Sequence, residues 1–233
     1  MNDIYYNRYF ILIKKNKILF QALDMENKVI LTKENFIQEN ASKDNFVSIR
    51  SFLEKNIFEL EKHLNDHIKE ICVILESDLF FVVANSIKYN SQKNNIKFTD
   101  INDTLVEIKN QFKKYSSSNE IIHMIFDKYI ASEDDNFVNL KNMKNENLVI
   151  QVKFICLKDQ IVNDLKEIFF KYQISVKKIL SYDYLKQLND YDGKNIFKLA
   201  DYSLNGLNKN EVLITNNSPK TLGFFEKFFN FFR

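Results

Sequence analysis

Glycine is almost missing from this chain, and that shortage constrains its fold more than any other feature. Only Gly193, Gly206 and Gly223 occur in 233 residues. A loop that cradles phosphates needs clustered glycines, because only a residue without a Cβ lets the backbone come close to the phosphate oxygens. Three scattered glycines cannot build one, so a P-loop, a Rossmann crevice or an actin-type nucleotide site is not expected. Part of the shortage is a coding bias. Only Arg8, Arg50 and Arg233 are Arg among 33 basic residues, and the chain is crowded with Lys, Asn and Ile. That pattern looks like AT-rich coding DNA, which also depletes Pro (Pro219 is the single one). The loops are missing either way.

Other classes fall on bulk properties. Lys and Arg number 33 against 31 Asp and Glu, a formal charge of +2, so no basic face points to nucleic acid. With 45% hydrophobic residues the chain is not globally disordered. No apolar run approaches the roughly 18 residues of a membrane span. Cys72 and Cys156 each sit in an apolar run and read as buried, reduced thiols. The polar N-terminal residues do not read as a signal peptide, which gives a cytoplasmic expectation.

Periodicity divides the chain. Tyr9 to Ile13 and Ile18 to Leu23 read as a hairpin turning at Lys14 to Lys17, with a third strand near Val29 to Leu31. Phe46, Ile49, Leu53, Ile57, Leu60, Leu64 and Ile68 fall on one helical face. Strands are expected at 71–75, 79–89, 121–130, 148–157 and 174–180, with Glu76, Ser77 and Asp78 turning between the first two. Helices are expected at 102–115 and 159–172, and one begins at Tyr184. Polar loops are expected at 40–45, 91–95 and 134–147. The sum is an α+β fold: a small mixed or antiparallel sheet with helices packed on one face. Residues 191–220 are polar and read as a linker, with at most one short helix near Ile196 to Leu204.

The last residues change character. Six of the 22 phenylalanines lie in the final ten positions. At 100° per residue, Phe224, Phe225, Phe228, Phe229, Phe231 and Phe232 fill an arc of about 160°, and Glu226, Lys227, Asn230 and Arg233 fill the rest. Such a helix is too short to cross a bilayer. It suits the membrane interface, with the rings among acyl chains and Lys227 and Arg233 near lipid phosphates. Packing on the protein itself or on a partner is the alternative. One short helix anchors weakly, so self-association or a partner would supply avidity.

Catalytic patterns are sparse. His63 and His67 are four apart, a spacing that can share a metal, but no third ligand is evident. His123 lies in an apolar strand and reads as a histidine satisfied by one hydrogen bond. Asp134 and Asp135 after Glu133 do not form a calcium loop. No nucleophile elbow or Ser-His-Asp set occurs. No catalytic, cofactor-binding or metal residue is assigned, and no enzyme is expected.

The stretch Glu120-Ile-Ile-His-Met-Ile-Phe-Asp-Lys-Tyr-Ile-Ala-Ser-Glu-Asp134 resembles a segment of the bacterial cell-division protein FtsA. Its flanks agree in order: Ile71 to Leu79 before it, Asp100 to Tyr115 as the preceding helix, and Leu148 to Leu180 after it. The resemblance covers about residues 46 to 190, the inserted strand-helix-strand-strand subdomain also found in the pilus protein PilM. Residues 8 to 40 are similar in position to the first strands of the actin-like lobe, and the Phe-rich end to the membrane-targeting helix. The departures are the missing first phosphate loop, since Phe10 to Asn16 has neither Gly nor Asp, and the missing second lobe.

The resemblance implies a reduced, non-ATPase adaptor. Its expected segments are N-terminal strands (1–45), an interaction subdomain (46–190), a linker (191–220) and a membrane-targeting helix (221–233). It would lie peripherally on the inner face of the cell membrane, binding its anionic surface and other division proteins, with self-association as a further expected contact. No nucleotide or nucleic acid would be bound. A PilM-like cytoplasmic adaptor of a pilus or secretion machine is the alternative.

Overall fold

The computed structural model describes residues 7–37, 45–89, 98–130, 148–188, 195–206, 208 and 210–212. They form an α+β fold with two sheets, one in each of two compact units. The first unit takes residues 1–80 and 158–207, and the second takes 81–157 and 208–233.

In the first unit, β1 (Arg8–Ile13), β2 (Lys17–Leu23) and β3 (Val29–Phe36) form an antiparallel meander. β4 (Glu70–Leu75) pairs parallel to β1, and β8 (Ser175–Ser181) pairs parallel to β4, giving the order β3-β2-β1-β4-β8. Tyr9 through Ile13 are all buried, and so are Ile71 through Leu75. Both faces of these central strands are therefore covered, which explains why their sequences are continuous apolar runs rather than alternating ones. α1 (Asn45–Leu64) supplies Ile49, Phe52, Leu53 and Leu60 to the core. It stops at Asn65, whose φ of 49° is left-handed, a conformation Asn tolerates at a helix end. Ile68, expected on the helix, lies beyond it on the way into β4. α3 (Asp159–Phe170) buries Val162, Leu165, Ile168 and Phe169, while α4 (Tyr182–Gln187) continues directly from β8.

α5 (Ile196–Leu204) is the one short helix expected near those residues, but it packs into the first unit instead of lying in a linker. It buries Ile196, Phe197, Leu199 and Ala200, and the Phe197 ring meets Phe10 of β1 at 6.3 Å. Asn195 caps it by accepting from Phe197 N, and Gly206, at φ 78°, ends it. The polar sequence misled because α5 is short and buries polar residues as well: Asp201 and Ser203 are each 2% exposed.

The second unit inserts between β4 and α3. β5 (Phe81–Tyr89), β7 (Leu148–Lys158) and β6 (Asn119–Ile130) make a three-stranded sheet in that order. β5 and β7 are antiparallel, with Phe81 opposite Cys156 and Tyr89 opposite Leu148. α2 (Phe98–Tyr115) brings Leu105 and Ile108 against Met124, Ile150, Val152, Phe154 and Cys156, so this sheet carries its helix in the way expected. Phe112 adds an edge-on contact to Phe154 at 5.1 Å.

The strand pairing moves the expected domain boundaries. A break near residue 45 separates β1 from β4, yet Phe10 to Ile13 pair with Cys72 to Leu75. The inserted unit begins at residue 81 rather than 46. Glu76 to Asp78 connect β4 to β5 where the turn was expected, but the two strands belong to different sheets. Burial separates them: β4 is covered on both faces, whereas β5 alternates between half-buried and exposed positions. Residues 134–147 and the segment with Phe224, Phe225, Lys227, Phe228, Phe229, Phe231, Phe232 and Arg233 lie outside the described residues.

Candidate functional site

In open α/β sheets, ligands sit beyond the carboxyl ends of the parallel strands. Here β1, β4 and β8 end side by side at Ile13, Leu75 and Ser181, in register. The residues that follow them are Lys14, Glu76 and Tyr182. Backbone geometry first narrows this end of the sheet. Lys14 N donates to Lys17 O at 2.9 Å, closing a tight turn, and Glu76 N donates to Ile13 O at 2.9 Å. A phosphate loop would need such N–H groups free and convergent, and these two are already used.

Side chains then fill the space. Lys14 Nζ donates to Tyr182 Oη at 2.8 Å, lies 3.6 Å from Glu76 Oε1 and sits 4.0 Å from the centre of the Tyr182 ring. Burial alone would lower the Lys14 pKa. The hydrogen bond to Tyr182 and the charge of Glu76 outweigh it and hold the ammonium above its ordinary value. Lys186 approaches the same ring at 5.1 Å, and Lys15 pairs with Asp78 at 2.6 Å on the exposed rim. The cationic groups at this end of the sheet are thus matched by the protein's own acids and by one aromatic ring.

His63 and His67 are not brought together as ligands. α1 ends between them, so they do not share one helical face. His63 Nδ1 donates to Glu59 O at 2.7 Å, and His67 Nδ1 lies 3.2 Å from Glu61 Oε2. Among the described residues no group of three His, Cys, Asp or Glu is placed to hold a metal. His123 is buried, and its Nδ1 lies 2.8 Å from Glu211 Oε1. The identity of that partner was not legible, because 88 residues separate the two.

Cys72 and Cys156 are both buried and neither is in a disulfide. Burial pushes the Cys72 thiol up to about 11 and the Cys156 thiol up to about 12, which suppresses the reactive thiolate. Lys166, Glu167, Phe170, Ile174, Ser175 and Val176 line an open groove of about 310 Å³ beside β8. Phe170 is 75% exposed there. No helix among the described residues is long and apolar enough to cross a membrane.

No family model matches the sequence, and no curated protein matches it. Solved structures are similar in fold only. A PilM-PilN type IV pilus biogenesis complex aligns over 77% of this chain and 48% of its own, at 7% identity and a TM-score of 0.43. The cytoplasmic domain of EpsL, an inner-membrane component of the Vibrio cholerae type II secretion system, aligns over 77% and 57%, at 11% identity and a TM-score of 0.35. A gluconate kinase from Lactobacillus acidophilus aligns over 48% and 24%, at 16% identity and a TM-score of 0.24. The chain spans less than two thirds of each of these neighbours. The architecture therefore stands on the strand pairing of this chain alone, and on that pairing it is a mixed α+β fold with an inserted second sheet.

Proposed function

We propose that the chain is a non-enzymatic adaptor that gathers protein components at the cytoplasmic face of the inner membrane. The observation that carries this reading is the closure of the sheet end by Lys14, Glu76 and Tyr182. The position where a sheet of this kind would take a nucleotide is filled by an ion pair and a ring. The residues 224–233, with six Phe on one side of a helical projection, supply the membrane contact. Unit 1 corresponds to an actin-like lobe and unit 2 to its insertion. The machine served is of the pilus or secretion type, as in the PilM-PilN and EpsL systems. The division role implied by the FtsA resemblance is the second reading, motivated by the Glu120 to Asp134 motif.

The test combines two measurements on the full chain. A fluorescent ATP analogue is titrated against it, and co-purifying proteins are identified with and without residues 222–233. The reading requires no saturable nucleotide binding and recovery of pilus or secretion components that weakens on truncation. Micromolar nucleotide binding overturns the adaptor reading. Recovery of division proteins instead selects the second one.

A further inference from the structure

Each sheet ends on two edge strands, and an edge presents a row of backbone N–H and C=O groups to whatever strand comes near. Among the described residues, three of these edges are blunted. β3 carries Lys33 and Glu34, and its ladder breaks where Ala22 faces Leu31 and Leu23 faces Val29, which bulges Ile30 out. β8 carries Lys177 and Lys178, and Lys177 is bulged out between Val176, opposite Ile71, and Lys178, opposite Cys72. β6 is covered instead. Phe126 N donates to Asn210 O at 2.7 Å, Val212 N donates to Met124 O at 2.8 Å, and Ile125 bridges Glu211 between these bonds.

The outer edge of β5 has none of these devices. β5 pairs with β7 without a bulge from Phe81 to Tyr89, and Phe81 to Ile87 include no charge, no Pro and no Gly. Among the described residues no strand pairs with that edge. Val82 is 62% exposed on the open face of the sheet, where Ala84 and Ser86 are exposed too. Phe81, Val83 and Ile87, on the α2 side, are only partly buried against the core.

We propose that a second copy of this chain pairs with β5 through its own β5, antiparallel about a two-fold axis at Ala84, which joins two three-stranded sheets into one of six. A stretch without charge does not attract a charged partner, but it can match itself. A two-fold axis normal to the sheet keeps both α2 helices on one side, so opposed residues must share a face. Centring on Ala84 sets Phe81 opposite Ile87 of the second copy and Val83 opposite its Asn85 on the α2 side. On the open face Val82 meets its Ser86, and Ala84 meets Ala84 at the axis. Centring one residue later would bring Lys88 against Val82. The Ala84 register thus pairs the whole uncharged stretch with itself and covers the half-open Phe81, Val83 and Ile87 of both copies. The inference goes beyond the adaptor reading and stands without it.

The experiment is sedimentation equilibrium of the full chain. The wild type should show a concentration-dependent dimer. Val82→Lys, Ala84→Lys and Ser86→Lys together change only exposed side chains and oppose three pairs of like charge, which should weaken the dimer about tenfold or more. The same three positions changed to Glu should weaken it similarly. An equimolar mixture of the Lys and Glu variants should recover a dimer, which a misfolded variant could not do. A wild-type chain that stays monomeric at about 200 μM overturns the proposal. A Lys variant that dimerises as tightly as the wild type overturns this edge as the interface. A mixture that stays monomeric while each variant melts like the wild type overturns the antiparallel pairing.

Discussion

Arg8 and Asp201 stand 193 residues apart in sequence and meet at 2.6 Å, Nη1 to Oδ1. The same guanidinium donates through Nη2 to Asp24 O and, at 3.0 Å, to Asn27 Oδ1. One side chain at the start of β1 thus fastens the β2–β3 turn and α5. Asp201 is nearly fully buried and Arg8 is about a quarter exposed. Removing one partner strands the other charge. Asp201→Ala should destabilise the first unit by about 3 kcal/mol, read as a lower urea midpoint. The double variant Arg8→Met with Asp201→Leu should recover part of that loss, and additive losses would contradict the account.

Alkali should weaken the fold in a defined window. Burial raises both thiols from 9.0, to about 11 for Cys72 and about 12 for Cys156. Burial and the hydrogen bond to Asp66 raise Tyr9 from 10.0 to about 12. A raised pKa means the folded state holds a proton that the unfolded state releases first. The stabilising contribution is whole below pH 9 and is lost as pH rises toward 11 and 12. Stability should fall by on the order of 1 kcal/mol per pH unit for each group in that window. Denaturation midpoints at pH 8, 9 and 10.5 check it, and a flat profile contradicts it.

The same thiols set a reactivity. At pH 8 the native chain should give almost no reaction with a disulfide reagent over minutes, whereas unfolding in urea should expose two equivalents. Fast native labelling of either cysteine would show that its burial is wrong.

Phe154 and Phe58 make a contrast. Phe154 is fully buried in the second unit, touching Phe112, while Phe58 is 84% exposed on α1. Phe154→Ala should cost about 3–5 kcal/mol by cavity and lost contact. Phe58→Ala should stay within about 0.5 kcal/mol. Similar effects of the two would overturn the assignment of the core.

The filled sheet end predicts its own energetics. Tyr182→Phe removes the acceptor of the Lys14 ammonium and should cost about 1 kcal/mol, with the ring contact kept. Lys14→Met should leave Glu76 short of its cation and should not create a nucleotide site. Thermal unfolding with and without ATP checks both.

Much of this was legible in the residues. The apolar runs at Tyr9 to Ile13 and Ile71 to Leu75, and the helical spacing of Leu105, Ile108 and Phe112, carry local periods that need no partner to read. The helix near Ile196 to Leu204 was legible but its packing was not, because the burial of Asp201 and Ser203 depends on what they meet, and Arg8 is nearly two hundred residues away. The turn expected at Glu76 to Asp78 is legible, but which strands it joins is not: β4 and β5 are adjacent in sequence, yet β4 pairs with β1 and β8.

The sequence by itself determined the kinds and order of the elements, the want of glycine for phosphate loops, and the sorted phenylalanines at 224–232. Those are properties of composition and of a few residues at fixed spacing. Only the tertiary structure decided that β4 joins β1 rather than β5, that α5 belongs to the core, and that Glu211 returns to His123. Each of those rests on pairing between distant segments, whose free energy comes from burial and matched charge at the contact and leaves no periodic trace along the chain.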